Sequence, residues 1–151
     1  MSRLVLERIR TVAPGLLAEL AEYELQAFGP AGLRTCDLAV AVEAGAVYIA
    51  QVDDEMVGSC QLLRMLDEPP FLYLLGFYVL PGHQGHGLGR VFLEELIDEC
   101  RRLQAEGLLL TVSPENVRAL GLYRQLGFVE EDYVADFYGP GEDRHVLRLR
   151  F

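Results

Sequence analysis

Val5 and Ile9, set among charged neighbours, predict a first strand near residues 4–10. Behind Pro14, Leu16, Leu17, Leu20, Tyr23 and Ala27 recur at helical spacing and predict a helix over about 14–27. Phe28-Gly-Pro-Ala-Gly-Leu-Arg34 breaks that pattern, and a short helix over about 36–43 ends at Gly45. Residues 46–52 and 56–65 read as two strands of a meander joined through Asp53-Asp54-Glu55. The second half is more apolar. Phe71–Leu80 runs almost without a polar residue between Pro69-Pro70 and Pro81-Gly82, as expected of a central strand buried on both faces. Over 87–105, Leu88, Val91, Phe92, Leu96, Cys100 and Leu103 form one helical stripe with mostly charged residues opposite. A strand at Leu108–Val112 follows, then a helix over about 115–126 that stops at Gly127, with Phe128 packing back. Residues 128–138 and 144–151 pair as a hairpin across Gly139-Pro-Gly-Glu-Asp143. The predicted order is β-α-α-β-β-β-α-β-α-β-β, an α/β (α+β) mixed sheet with helices on both faces, in one domain spanning residues 1–151.

Composition narrows the function classes. The 151 residues carry 51% apolar and 24% charged side chains, the balance of a folded domain. Thirteen Lys plus Arg against 23 Asp plus Glu give a formal charge of −10, which argues against a nucleic-acid partner. The apolar run at 71–80 is far shorter than the roughly 18 residues a membrane helix needs. The start of the chain, charged and apolar by turns, holds no signal-peptide core. Cys36, Cys60 and Cys100 are odd in number and widely spaced, so they read as reduced thiols in a cytoplasmic protein without a zinc site.

The chemistry concentrates in Val79-Leu-Pro-Gly-His-Gln-Gly-His-Gly-Leu-Gly-Arg90, where a strand runs through a glycine-rich turn into a helix. Glycines there let a ligand approach the backbone, and the helix N-terminus aims N–H groups and partial positive charge at one point. Such a site suits phosphate. Arg90 agrees, because a cation in the first turn opposes the dipole unless an anion sits there. The Walker pattern is absent, which excludes a P-loop nucleoside-triphosphatase, and Gly-x-Gly-x-x-Gly does not fit.

Gln84-Gly-His-Gly87-Leu-Gly89 has the form Gln/Arg-x-x-Gly-x-Gly/Ala. Asn116-Val-Arg-Ala119-Leu-Gly-Leu-Tyr123-Arg-Gln-Leu-Gly127-Phe128 follows it in the form Asn-x-x-Ala-x-x-x-Tyr-x-x-x-Gly-Phe. On these two motifs the sequence resembles the Gcn5-related N-acetyltransferase (GNAT) family, most strongly over 71–128. The tail from Phe137 to Leu147 is loosely similar to the closing hairpin of the ribosomal-protein alanine N-acetyltransferase branch. The resemblance implies a sheet whose central parallel strands, at 71–80 and 107–112, splay apart to admit the pantetheine of acetyl-CoA. Backbone groups of Phe77, Tyr78 and Val79 are then expected to bind pantetheine, with the Val79 N–H as oxyanion donor. Gln84, Gly85, His86, Gly87, Leu88, Gly89 and Arg90 are expected to cradle the pyrophosphate, and Asn116 to hydrogen-bond the pantetheine arm.

Tyr123 takes the family's proton-donor position. Coenzyme A leaves as a thiolate of basicity near that of cysteine, about 8.5, which a nearby tyrosine can protonate. The family often places a glutamate base on one of the splayed strands. Here those positions hold Tyr73 and Thr111, neither of them a carboxylate. Tyr73 can relay the amine's proton through water; Glu24, Asp67 and Glu68 are alternatives, and so is deprotonation by bulk solvent. Glu19, Glu22 and Glu24 otherwise read as a solvated helix face, or as lining the acceptor entrance where they attract a cation. His145 reads as structural and Tyr138 as a packing residue, while the branch resemblance implies Tyr138 as a wall for the acceptor. His83 and His86 lack a third ligand, so no metal is expected.

The expected activity is acetyl transfer from acetyl-CoA to a primary amine by direct attack in a ternary complex. The acceptor is a small molecule, a lysine or a peptide or protein N-terminus. No arrangement of Ser, Cys or His resembles an activated nucleophile. The rival reading is a non-catalytic acyl-CoA-binding or regulatory module, favoured by the missing carboxylates and opposed by Tyr123. Homodimerisation is common in that family, and no apolar stripe here marks an interface.

Overall fold

The computed structural model describes residues 3–151; Met1 and Ser2 lie outside the described residues. Strands β1 (Leu4–Ile9), β2 (Ala46–Val52), β3 (Glu55–Arg64), β4 (Phe71–Val79), β5 (Gly107–Val112), β6 (Val129–Val134) and β7 (Arg144–Arg150) alternate with helices. These are α1 (Pro14–Phe28), α2 (Thr35–Ala44), α3 (Leu88–Arg102) and α4 (Val117–Gln125), with 3-10 turns at Gly29–Ala31 and Pro81–His83. The order along the chain is the predicted one. Backbone pairing arranges the strands as β1-β2-β3-β4-β5-β7-β6, a mixed sheet in which β4 and β5 are parallel.

The chain divides into two compact units. Among the described residues the first comprises residues 3–63 and Leu75–Ile97. Its hairpin β2–β3 turns through Asp53 and Asp54, both at positive φ (53° and 64°), the backbone twist that a two-residue turn between strands demands. Leu17, Leu20, Leu38, Ala41 and Val42 of α1 and α2 cluster with Ile9, Val47 and Ile49 of β1 and β2. Each buried Leu, Ile or Val side chain there contributes about 1.5–3 kcal/mol relative to exposure. Gly58 is required by close approach, since a Cβ would lie 2.3 Å from the Tyr78 carbonyl oxygen.

The second unit comprises Arg64–Leu74 and Asp98–Phe151. Phe71–Leu74 of β4 pairs with Gly107–Leu110 of β5, and β7 pairs antiparallel with both β5 and β6. Arg148 ties the start of β4 to the closing hairpin. It bonds Glu68 at 2.8 Å and Glu131 at 2.9 Å, and its guanidinium lies 4.7 Å from the Phe71 ring centre.

Four expectations change. β4 is not buried on both faces: beyond Leu72 its positions alternate between half-buried and buried. The buried stripe of α3 is Phe92, Leu93, Leu96, Ile97 and Cys100, while Val91 is exposed. That helix ends at Arg102 instead of 105, because Gln104 takes a left-handed φ of 64° and its N–H bonds Arg101 O. In α1 the buried positions are Leu17, Leu20 and Glu24, with Leu25 and Ala27 exposed. Among the described residues Cys60 and Cys100 are buried and Cys36 is exposed, and none of the three is in a disulfide. Among the described residues no helix is long and apolar enough to cross a membrane.

Candidate active site

In the first unit β4 runs into the glycine turn and then into α3. Gly85 and Gly87 adopt φ of 83° and 75°, where a side chain is strained. A Cβ added at Gly82, Gly85 or Gly87 meets nothing within 4 Å, so the turn stands open on that side. The next residues open α3, whose first N–H groups have no partner within the helix. Open backbone beside a helix N-terminus is an anion cradle. It fits a pyrophosphate.

Two side chains of the turn behave differently from expectation. The amide of Gln84 turns back and donates to the Val79 carbonyl at 2.9 Å, bracing the strand end. Arg90 donates to Glu94 one turn on, at 3.1 Å, so an internal carboxylate already offsets its clash with the helix dipole. His83 faces Glu55 at 3.3 Å.

On β4, Phe77 packs its ring 4.6 Å from Phe92 of α3, and Tyr78 on the other face sits edge-on to Phe28. Beneath Tyr78 a polar cluster surrounds Glu24, which the helical pattern places on a solvated face and the structure instead buries. Glu24 is 1% exposed and accepts from Gln61 Nε2 (3.2 Å) and the Leu33 N–H (3.3 Å). Burial pushes the Glu24 carboxyl above its ordinary value of 4.5, against those two hydrogen bonds. Among the described residues, Gln61 Oε1 and Tyr78 Oη are buried without a hydrogen-bond partner. Desolvation, with Glu24 nearby, raises the Tyr78 hydroxyl as well.

In the second unit Asn116 caps α4, its Oδ1 accepting from the Ala119 N–H at 3.2 Å. Its amide NH₂ is the part available to a ligand. Tyr123 is 6% exposed, with its ring 5.4 Å from Phe128 just past Gly127 (φ 99°). Tyr73 and Thr111, the two positions without a carboxylate, touch each other: Tyr73 Oη lies 3.2 Å from Thr111 Oγ1. Burial pushes the Tyr73 hydroxyl up to about 12. Among the described residues Tyr73 makes no hydrogen bond to Asp67 or Glu68, and Glu68 is engaged by Arg148.

Residues 14–128 match the model of the acetyltransferase (GNAT) family. The chain belongs to that family. The ribosomal-protein bS18 alanine N-acetyltransferase of Salmonella typhimurium is 37% identical over 100 residues, 64% of this chain and 66% of that protein. The crystal structure of the Escherichia coli ribosomal-protein-S18-alanine N-acetyltransferase superposes with a TM-score of 0.79 at 24% identity, over 97% of this chain and 93% of that one. A Bacillus subtilis acetyltransferase solved with CoA gives 0.78 at 20% identity, over 100% and 99%. At such identities the two structures speak to fold. The chain spans 40% and 39% of the length of two other curated relatives.

As a GNAT chain, the protein keeps the glycine turn and the Asn116–Tyr123–Phe128 signature on the elements where the motifs put them. Three contacts were missed from sequence: Gln84 to Val79, Glu24 to Gln61, and Thr111 to Tyr73. Only Glu24 carried a signal, its spacing of four and seven residues from Leu20 and Leu17 on a helix.

Proposed function

We propose that this GNAT chain transfers an acetyl group from acetyl-CoA to a primary amine by direct attack in a ternary complex. The observation that carries the proposal is the open glycine turn at the N-terminus of α3. The backbone of Phe77, Tyr78 and Val79 binds pantetheine in this reading. Residues Gln84, Gly85, His86, Gly87, Leu88, Gly89 and Arg90 hold the pyrophosphate, chiefly through N–H groups. Asn116 donates its amide to the pantetheine arm. The Val79 N–H faces the developing oxyanion, and Gln84 fixes the peptide carbonyl of the same residue.

Tyr123 protonates the coenzyme A thiolate as the C–S bond breaks. Tyr73 faces the amine. Its hydroxyl is too weakly acidic to ionise near neutral pH, so it accepts and passes on a proton without keeping a charge. The acceptor class is a small amine, a lysine or a peptide or protein N-terminus, and the similarity to ribosomal-protein alanine N-acetyltransferases favours the last.

Calorimetric titration with acetyl-CoA, beside dephospho-CoA and NADH, tests this. Micromolar-range binding of acetyl-CoA, weaker binding of dephospho-CoA and no binding of NADH are expected. A protein that binds none of the three has a structural turn and another function. The second reading, an acyl-CoA-binding regulatory module, draws on the hydroxyls at Tyr73 and Thr111 where a base is wanted. It predicts binding without turnover.

A further inference from the structure

Tyr73 on β4 stands opposite Leu109 of β5 in the parallel register, two positions from Thr111. Tyr138 comes from the β6–β7 connection. Three hydroxyls therefore stand in series: Tyr73 Oη to Thr111 Oγ1 at 3.2 Å, and Thr111 Oγ1 to Tyr138 Oη at 3.5 Å. Exposure rises along the series, from half-buried Tyr73 and Thr111 to Tyr138, which is 48% exposed. The Arg144 guanidinium lies 4.9 Å from the Tyr138 ring centre and holds that ring in place. Each hydroxyl is both a donor and an acceptor, so each can take one proton while giving up another. Both contacts are long for O–H···O bonds.

We propose that the hydroxyls of Tyr73, Thr111 and Tyr138 form a relay that carries the acceptor amine's proton from the interior to bulk water. The inference rests on the acetyltransferase reading above and supplies what that reading lacks, a route for the proton in the absence of a carboxylate. An ammonium acceptor loses two protons in becoming an amide. One ends on the coenzyme A sulfur by way of Tyr123. The other passes to Tyr73 Oη while the Tyr73 proton moves to Thr111 and the Thr111 proton to Tyr138, which releases its own to water. The N–C bond forms, the C–S bond breaks, and all three hydroxyls end neutral. Burial of Tyr73 keeps it un-ionised throughout.

The test compares wild type with Thr111→Val, Thr111→Ser and Tyr138→Phe, measuring kcat/KM across pH with and without imidazole. Valine keeps the shape of threonine and removes the middle hydroxyl; serine keeps the hydroxyl. The expected result for Thr111→Val is a loss of roughly 10–100-fold below the acceptor's pKa. The loss should shrink at high pH, where the amine is already free, and imidazole should partly restore it. Thr111→Ser should stay within about 3-fold of wild type, because the hydroxyl is retained. Tyr138→Phe, at an exposed position that folding tolerates, should show the same pH-dependent loss in milder form.

A Thr111→Val enzyme equal to wild type overturns the relay. So does a loss that is uniform with pH and indifferent to imidazole, which marks a structural role. Failure of the underlying reading has a different signature: wild type that neither binds acetyl-CoA nor turns over any amine. Wild type that binds but does not turn over overturns the relay and leaves the binding-module reading.

Discussion

Gln84 Nε2 donates a 2.9 Å hydrogen bond to the Val79 carbonyl, across the turn that joins β4 to α3. The motif glutamine therefore works on the strand end, whose neighbouring N–H is the proposed oxyanion donor, and leaves the anion to backbone N–H groups. Gln84→Ala removes one exposed bond, a matter of about 1 kcal/mol. Acetyl-CoA affinity should fall by roughly 5-fold, the equivalent of that energy, with the melting temperature almost unchanged. Calorimetry on the variant checks both.

Gly87 gives a sharper variant. Alanine at its φ of 75° costs about 1–2 kcal/mol, and its methyl group fills space that is open in this structure. Gly87→Ala should weaken acetyl-CoA by more than about 10-fold through both effects. Gly15→Ala, at an open position without positive φ, should leave binding unchanged. Equal affinities for the two variants would remove the turn from the ligand site.

Glu24 predicts a pH dependence of stability. Its folded-state pKa lies above the ordinary 4.5, so the contribution it makes in neutral form is fully present below pH 4.5. That contribution is lost as pH rises through the elevated folded value. Glu24→Gln stays neutral and can donate to an unpartnered acceptor in its cluster. The variant should melt higher than wild type at pH 7 and lose that advantage near pH 4. A variant less stable at pH 7 would show that the charged carboxylate is stabilised in place.

Tyr123→Phe separates catalysis from binding. General acid catalysis is worth roughly 10²–10⁴-fold, so kcat should fall on that scale while acetyl-CoA affinity holds. Rapid-quench measurement of acetyl transfer reads the chemical step directly. Unchanged turnover would assign the leaving-group proton to another residue.

The element order was legible because periodicity changes cleanly along the chain, from alternation in β1 to the helical stripe of α3. Positions that broke residue-type rules were not. The left-handed residue closing α3 is Gln104 and no glycine marks it, so the helix reads as longer than it is. Glu24 occupies a core position in α1, where a carboxylate reads as surface. The glycine turn was legible because anion cradles need glycine at particular spacings. The meeting of Tyr73, Thr111 and Tyr138 was hidden because it depends on the β4–β5 register and on the hairpin's turn. Residues far apart in sequence leave no local trace of such contacts.

The central claim is acetyl transfer to an amine, and it is tested most directly by incubating the protein with acetyl-CoA and a panel of amines. The panel runs from small diamines to peptides with free N-termini, with free thiol and acetylated product followed by mass spectrometry. The chain contains no lysine, so any acetyl-lysine detected comes from the acceptor. The account predicts thiol release that depends on one class of amine and matches its acetylated product in amount. Acetyl-CoA binding without amine-dependent thiol release from any acceptor would contradict it, and would make the chain a binding module.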